Sequence, residues 1–340
     1  MQRKQRGLCP NLKKPLVISR NITEMTYINS GNKDTRSGFG HALLEIGKNN
    51  PNVVALCADL SGSLKMDAFA RTFPDRFFQC GIAEANMIGV AAGLAISGKI
   101  SFAGTFAGFA SGRVYDQIRQ SVAYSKANVK IAASHAGITL GEDGATHQIM
   151  EDIGLMRMLP NMTVINPCDY NQTVAATLAA ANLEGPVYLR FGRPAVPNFT
   201  DSRHPFEIGK ALLMREGSDV SIFATGHLVW EALVAADELA QMAISAEVLN
   251  IHTIKPLDTA AILASAAKTR AVLTAEEHLI AGGFGEAVAA LLAQQLPTRQ
   301  AFIAVDNQFG QSGKPKELLE VYGLDAKHIV AAAKRLFEEK

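Results

Sequence analysis

The chain has 340 residues, which is long enough for two domains of ordinary size. Its 33 lysines and arginines nearly balance its 32 aspartates and glutamates, and the net charge of +1 gives no reason to expect binding to nucleic acid or to a membrane surface. No apolar run approaches the length of a membrane span. The four cysteines show no CxxC spacing, so neither a zinc site nor a disulfide framework is indicated, and reduced thiols in a cytoplasmic protein fit best.

The N-terminal segment differs from the rest of the chain in composition. It is rich in lysine and arginine and contains no acidic residue before Glu24. A basic, acid-poor leader is one form of targeting signal, but this one lacks the apolar core of a secretory signal. We therefore interpret residues 1–33 as a basic, flexible extension.

Beyond this extension, short apolar runs alternate with helical patterns. We predict strands at residues 53–60, 100–104, 129–133, 163–166 and 187–190, and helices at 83–97, 111–126 and 169–182. Strands that alternate with helices are typical of a parallel sheet covered by helices on both faces. Residues 34–192 form the first predicted domain.

The stretch RPAVPNFTDSRHPF, residues 193–206, contains three prolines and no periodicity, which predicts a linker. The alternation then restarts, with strands predicted at 219–225, 246–251, 271–275 and 301–305 and helices at 229–242, 258–268, 285–292 and 325–338. Residues 207–340 form a second predicted domain. The predicted fold class is α/β, with two successive domains that each contain a largely parallel sheet with helices on both faces.

The most informative motif is GEDGATHQ, which spans residues 141–148. It places Glu142 and Asp143 shortly before His147, and His135 lies a little upstream. Glycines allow backbone to approach a ligand closely, and histidine exchanges protons near neutral pH when a carboxylate orients it. The spacing alone also fits an ordinary surface turn, because Asp-Gly pairs are common in turns.

The residue sequence of this motif closely resembles the substrate loop of transketolases, which use thiamine diphosphate to move two-carbon ketol units between sugars. Three further segments resemble the family in the same order: ADLSGS at 58–63, GIAEANMIGVAAGLA at 81–95 and GTFAGF at 104–109. The resemblance runs from about Asp34 to the C-terminus. It implies the thiamine-diphosphate-binding fold, as the pyrimidine-binding domain, followed by the transketolase C-terminal domain.

One familiar element of the family does not occur in the sequence. Thiamine-diphosphate enzymes hold the diphosphate through a metal bound near a GDG motif, and this chain has no GDG. It therefore resembles the C-terminal half of a split transketolase. We expect no metal ligands here and a separate N-terminal subunit that carries the GDG site and holds Mg²⁺ or Ca²⁺. The family's architecture also implies a homodimeric core, and hence a heterotetramer with two partner chains.

The resemblance implies a role for four residues around the cofactor. Glu84 would hydrogen-bond the ring nitrogen of the aminopyrimidine, Phe106 and Phe109 would stack against that ring, and Asp59 would lie near the same pocket. Each also has an ordinary interpretation, since acids favour the first turn of a helix, phenylalanine favours the core and aspartate caps turns. The family commonly has a tyrosine where this chain has Gly112, which leaves one wall of the pocket open to question.

Six residues are expected to bind substrate. The resemblance assigns His147 to proton transfer near the reacting hydroxyl of the donor sugar, and Asp143 to the hydroxyl beside the carbonyl. Four more match positions that bind the substrate phosphate: His135, Arg36, Ser63 and Arg190. Arginine suits this task because its guanidinium grips phosphate bidentately, although surface arginines and a capping serine are the plainer alternatives.

The function predicted from the sequence is ketol transfer from a ketose phosphate to an aldose phosphate by the pyrimidine-binding subunit of a split transketolase. Both pentose phosphate metabolism and a specialised catabolic role on an unusual phosphosugar are compatible with it. The alternatives are a subunit of a related enzyme, similar to deoxyxylulose-phosphate synthase or to the beta subunit of 2-oxoacid dehydrogenases, and a non-catalytic partner. The segment TAEEHLIAGGFGEAV, residues 274–288, resembles one found across this superfamily, and we assign it no catalytic role.

Overall fold

The computed structural model describes residues 27–201 and 203–340. Most of the predicted N-terminal extension therefore lies outside the described residues. In this part of the chain no helix is both long and apolar enough to cross a bilayer.

Strands and helices alternate along the chain as the sequence predicts. The strands are β1 (Asn32–Asp34), β2 (Val53–Cys57), β3 (Phe77–Gln79), β4 (Ile100–Phe106), β5 (Val129–Ser134), β6 (Thr163–Ile165), β7 (Val187–Arg190), β8 (Ala195–Pro197), β9 (Leu212–Arg215), β10 (Val220–Ala224), β11 (Ala246–Asn250), β12 (Thr253–Lys255), β13 (Ala271–Leu279) and β14 (Arg299–Val305). The helices are α1 (Thr35–Asn49), α2 (Asp67–Thr72), α3 (Glu84–Ile96), α4 (Ala107–Ala110), α5 (Tyr115–Gln117), α6 (Asp152–Met158), α7 (Tyr170–Asn182), α8 (Leu228–Gln241), α9 (Thr259–Thr269), α10 (Phe284–Gln295), α11 (Pro315–Val321) and α12 (Ala326–Glu338).

The first sheet has the strand order β12-β6-β7-β5-β4-β2-β3, and only β12 runs antiparallel to its neighbour. It is buried on both faces, as strand β2 illustrates. Val54 and Leu56 pack into one apolar cluster, whereas Val53, Ala55 and Cys57 pack into another. Successive side chains of a strand point to opposite faces, so a continuous apolar run is what a sheet between two helical layers requires.

The second sheet has the order β14-β13-β10-β11-β9, with β9 as an antiparallel edge strand. The predicted fold class, two largely parallel α/β domains in succession, is confirmed.

Several local predictions differ from the structure. Residues 195–197 of the predicted linker form β8, which pairs antiparallel with β1 at the end of the predicted extension. Strand β12 lies within the second predicted domain by sequence, but it pairs with β6 in the first sheet. The single helix predicted over 111–126 is instead the short α5 followed by a π-helix, Ile118–Tyr124. The two strands are short and their backbone partners lie far away in sequence, so local patterns carry little signal for them.

Candidate active site

The predicted site residues gather at the carboxyl edge of the first sheet. Asp59 follows β2, Glu84 follows β3, Phe106 ends β4 and His135 follows β5. These four strands run parallel, so their carboxyl ends meet at one edge. That edge is where ligands bind in open parallel sheets, because the loops there are free to present side chains.

Glu84 is the first residue of α3 and is only 4% exposed. Its carboxylate lies in the first turn of the helix, a position that acidic residues favour. The Arg113 Nη1 donates a hydrogen bond to Glu84 Oε1 at 2.8 Å. In the described part of the chain, Arg113 is the one hydrogen-bond partner of this side chain. A buried carboxylate with one partner retains capacity to accept a further hydrogen bond.

An aromatic row leads from the sheet to the GEDGATHQ motif. The rings of Phe106 and His135 stack with centroids 3.8 Å apart, and Phe106 and Phe109 stack at 5.9 Å. The edge of His147 then meets Phe109 at 5.6 Å. The structure therefore brings together residues that the sequence assigns to the cofactor and residues that it assigns to the substrate.

Sequence reasoning missed Arg113. Its guanidinium lies 3.9 Å over the ring of Phe109 while it bonds to Glu84. A flat, nitrogen-bearing group thus makes the two contacts expected of the aminopyrimidine, a hydrogen bond to the carboxylate and a stack on the aromatic face. The residues present therefore fit the ring of thiamine diphosphate. Its place next to Gly112, in the motif that departs from the family, was the available signal.

A second arginine, Arg193, also escaped the sequence analysis. Its Nη1 donates to the Leu140 carbonyl at 2.7 Å and to Glu142 Oε2 at 2.9 Å. Burial lowers the pKa of Arg36, Asp34 opposes this shift, and the charge of Arg193 adds to the lowering.

His135 faces the same two arginines. Burial, and then the charges of Arg36 and Arg193, lower the pKa of His135 to about 3, so the ring is neutral at physiological pH. The Arg36 side chain is held by the Ser63 carbonyl, which accepts from Nη1 at 3.0 Å, and by Asp34. The charges of both arginines act on His135, so the three side chains lie in one neighbourhood.

Arg190 occupies a different environment from the one its assignment requires. The side chain is 3% exposed, and Nε donates to Asp152 Oδ2 at 2.8 Å while Nη2 donates to the Glu277 carbonyl at 2.8 Å. Tyr188 donates to the same Asp152 oxygen at 2.9 Å. This guanidinium ties the two domains together, and the structure does not place it in the cluster of Arg36, Arg193 and His135.

The GEDGATHQ loop is supported from the C-terminal domain. Gln148 Nε2 donates to the carbonyls of Ile138, Gly141 and Gln311 at 2.9, 3.3 and 3.0 Å. A Cβ on Gly144, whose φ is +76°, would lie 2.5 Å from the hydroxyl of Ser312. The glycine is therefore needed both for its backbone conformation and for the close approach of the two loops.

The remaining predicted residues are more exposed. Asp143 and Asp59 are exposed, and Asp59 has a left-handed φ of 59° that its N–H stabilises by donating to Gln79 Oε1 at 2.7 Å. Ser63 is half-buried, and its backbone carbonyl holds Arg36. Gly112 is open on its side-chain side, where an added Cβ would meet nothing closer than 3.7 Å.

The segment at residues 274–288, which resembles one found across the superfamily, contacts the first domain and is largely buried. Glu276 accepts the N–H groups of Phe284 and Gly285, both at 2.7 Å, and burial raises its pKa to about 7. Glu277 Oε1 accepts the Thr139 N–H at 2.6 Å. His278 Nε2 accepts the Gly154 N–H at 3.2 Å. These contacts cap a helix and join the domains.

Comparison with known proteins identifies the family of both domains. Residues 32–198 match the family described as "Transketolase, pyrimidine binding domain", and residues 209–329 match "Transketolase, C-terminal domain". The chain is 49% identical over 310 residues to a putative transketolase C-terminal section of Methanocaldococcus jannaschii, covering 90% of this chain and 96% of that protein. It is 46% identical over 305 residues to a 6-deoxy-6-sulfo-D-fructose transketolase subunit of a Clostridium species, covering 90% and 95%.

A solved structure is similar along nearly its whole length. It is described as a split gene transketolase, an inactive beta4 tetramer, and it superposes with a TM-score of 0.84 at 48% identity, covering 90% of this chain and 98% of that one. The predicted resemblance is thereby confirmed. The chain belongs to the transketolase family and carries its pyrimidine-binding and C-terminal domains, the part that forms the C-terminal section of split transketolases.

Proposed function

We propose that this chain is the pyrimidine-binding subunit of a thiamine-diphosphate-dependent transketolase, active with a second chain that holds the diphosphate and its divalent metal. The observation that carries the proposal is the buried carboxylate of Glu84 beside the face of Phe109, with Arg113 bridging them. The similarity to C-terminal sections of split transketolases supports the need for a partner. The four cysteines show no CxxC spacing, and reduced thiols of this kind support a cytoplasmic location.

When bound, thiamine diphosphate supplies a carbon nucleophile and holds the electron pair released when a carbon–carbon bond breaks. Glu84 would share a proton with the ring nitrogen of the aminopyrimidine, which carries no hydrogen of its own in the neutral ring. Burial strengthens such a bond because the local dielectric is low. Phe109 would stack on the ring, Phe106 would support Phe109 from behind, and Asp59 would lie at the rim.

The substrate is expected to lie between the GEDGATHQ loop and the arginine cluster. His147 would move a proton at the reacting hydroxyl, and Asp143 would orient the neighbouring hydroxyl. Arg36 and Arg193 would bind the anionic end of the sugar, with neutral His135 and Ser63 completing the site. Arg193 replaces Arg190 in this proposal, because the guanidinium of Arg190 is engaged with Asp152 and Glu277.

The anionic end of the donor is either a phosphate or a sulfonate. A relative 46% identical to this chain is named for 6-deoxy-6-sulfo-D-fructose, a ketose with a terminal sulfonate. Both groups present three oxygens to a pair of arginines, but a phosphate monoester carries about −1.5 to −2 charges at pH 7. Ketol transfer from a sulfosugar is therefore a second candidate function. The charges around the bound anion would help to distinguish it from transfer from a phosphosugar.

The decisive experiment is co-expression with a partner chain that carries a GDG motif, followed by assays of three donors: a ketose phosphate, the same ketose without phosphate, and 6-deoxy-6-sulfo-D-fructose. We expect transfer from one anionic donor by the complex and none by this chain alone. Glu84→Gln should slow hydrogen–deuterium exchange at the thiazolium carbon by about 10² to 10⁴-fold. A complex that binds thiamine diphosphate but shows wild-type exchange in this variant would remove Glu84 from the mechanism.

A further inference from the structure

The contact between Glu84, Arg113 and Phe109 has a chemistry of its own. A guanidinium is planar, it donates hydrogen bonds from its edge and it stacks on aromatic faces. Arg113 uses both properties at once, with 2.8 Å from Nη1 to Glu84 Oε1 and 3.9 Å from the guanidinium carbon to the centre of the Phe109 ring. Its side chain is 48% exposed, whereas that of Glu84 is 5% exposed. The carboxylate belongs to the buried site, and the arginine reaches in from outside.

There is no room for a second flat group in this row. Phe106 and Phe109 stack with centroids 5.9 Å apart, and a ring inserted between two stacked rings needs about twice the ordinary contact distance of 3.5 to 4 Å. His135 lies against Phe106 at a centroid distance of 3.8 Å. The place where a planar ring can touch both Phe109 and Glu84 is the place that the guanidinium now fills.

The neighbouring space is suited to receive a displaced arginine. A cleft of about 500 Å³ adjoins Arg113 and is lined by residues that include Gly112, Thr146, Glu151 and Phe309. Gly112 has no side chain to obstruct the path, and an added Cβ would meet nothing closer than 3.7 Å. The carboxylate of Glu151 and the exposed ring of Phe309 offer the guanidinium the same two kinds of contact that it would give up.

We propose that Arg113 is an internal stand-in for the aminopyrimidine ring, which satisfies buried Glu84 in the cofactor-free subunit and leaves for the adjoining cleft when the cofactor binds. The inference rests on the proposed function and adds a competing contact to it. A contact made only in the cofactor-free state stabilises that state and weakens apparent cofactor affinity by the same free energy. A residue that merely supported Glu84 would stabilise both states.

The experiment therefore compares the sign of two effects of Arg113→Ala. The first measurement is the dissociation constant of thiamine diphosphate, with magnesium, for the complex of this chain with its GDG-bearing partner. We expect Arg113→Ala to lower it by about fivefold to thirtyfold, the range that one half-exposed ion pair and one cation–π contact support. The second is the melting temperature of the isolated chain, which should fall because Glu84 loses its partner.

Two further variants define the interpretation. Arg113→Lys keeps the charge without the planar fork and should give an intermediate dissociation constant, while Arg119→Ala removes an exposed arginine from the following segment and should change neither measurement. If the wild-type complex binds thiamine diphosphate and the Arg113→Ala complex binds it equally well or more weakly, the stand-in role alone is overturned. A wild-type complex that binds no thiamine diphosphate would overturn the proposed function and this inference with it.

Discussion

Arg190 and Asp152 form an ion pair at 2.8 Å with side chains that are 3% and 0% exposed. The same guanidinium donates to the carbonyl of Glu277, so one side chain joins β7 of the first domain to β13 of the second. Arg193, three residues along, is partly exposed and contacts Glu142 and the Leu140 carbonyl. Two arginines in one short stretch of sequence thus have different environments, and in the proposed function only Arg193 binds substrate.

Replacing Arg190 by alanine should destabilise the fold. The change leaves Asp152 buried without its cation, and breaking a buried pair by removing one partner costs about 3 to 5 kcal/mol. Urea unfolding of the isolated chain should report a free energy of unfolding reduced by this order. Arg193→Ala is the matched control and should change it by about 1 kcal/mol or less, because its ion pair with Glu142 is exposed. Equal losses in the two variants would contradict the division of tasks.

Arg193→Ala should instead weaken the binding of anionic donors. Each charge-assisted hydrogen bond to the anion contributes about 1.5 to 3 kcal/mol, which corresponds to a rise of roughly tenfold or more in the Michaelis constant. Arg36→Ala should behave in the same way. The same ketose without its anionic group is the comparison substrate, and its Michaelis constant should change little. A loss of equal size on both substrates would indicate that Arg193 only shapes the loop through the Leu140 carbonyl.

The exposed face of α3 is expected to form the two-fold contact of a homodimeric core. Val90 and Ile96 are 37% and 72% exposed there, and a Cβ added at Gly89 or Gly93 would meet no atom within 4 Å. Small residues allow another helix to approach closely, and two-fold pairing is the commonest assembly.

Gly93→Arg should therefore leave the subunit folded but block its pairing. Light scattering of the complex with the partner chain should show two copies of each chain in the wild type and one of each in the variant. Leu178→Glu, on the exposed side of α7, is the control. An unchanged mass for Gly93→Arg, or a fully active wild type with one copy of each chain, would refute this assembly.

Stability should decrease in mild acid through His135. Its pKa is about 3 in the folded chain against an ordinary 6.5, because burial and the neighbouring arginines disfavour its charged form. The unfolded chain therefore takes up a proton as the pH falls below about 6.5, while the folded chain does so only near pH 3. The stabilisation is complete above about pH 6.5 and is lost progressively as the pH falls.

The measurement is urea unfolding of the wild type and of His135→Gln at pH 7 and pH 5. The wild type should lose about 1 to 2 kcal/mol more than the variant over this interval, since one pKa unit corresponds to about 1.4 kcal/mol. Other buried histidines with lowered pKa values, His227, His252 and His278, are common to both proteins and cancel in the comparison. Parallel losses in the two proteins would show that His135 is already protonated or exposed.

Much of the fold was predictable because its signals are local. Strand β2 is a continuous apolar run, and a strand that packs helices on both faces has no polar side to show. Helices α1 and α7 are preceded by Asp34 and Asp169, whose carboxylates accept the N–H groups of Ser37 and Gln172 as N-caps do. The same pattern predicts where the candidate site lies, since residues placed just after parallel strands meet at the carboxyl edge.

The sequence by itself determined the α/β class, the alternation of the main strands and helices, the family and the position of Glu84 and the GEDGATHQ loop along the chain. Tertiary structure alone decided that Arg190 is a buried interdomain link while Arg193 contacts the GEDGATHQ loop, and that Arg113 reaches Glu84. It also decided that Gln148 ties the substrate loop to Gln311. The physical reason is that such roles depend on which distant groups surround a side chain and exclude water from it. Spacing along the chain records periodicity and caps, whereas burial and partners arise only when both domains pack.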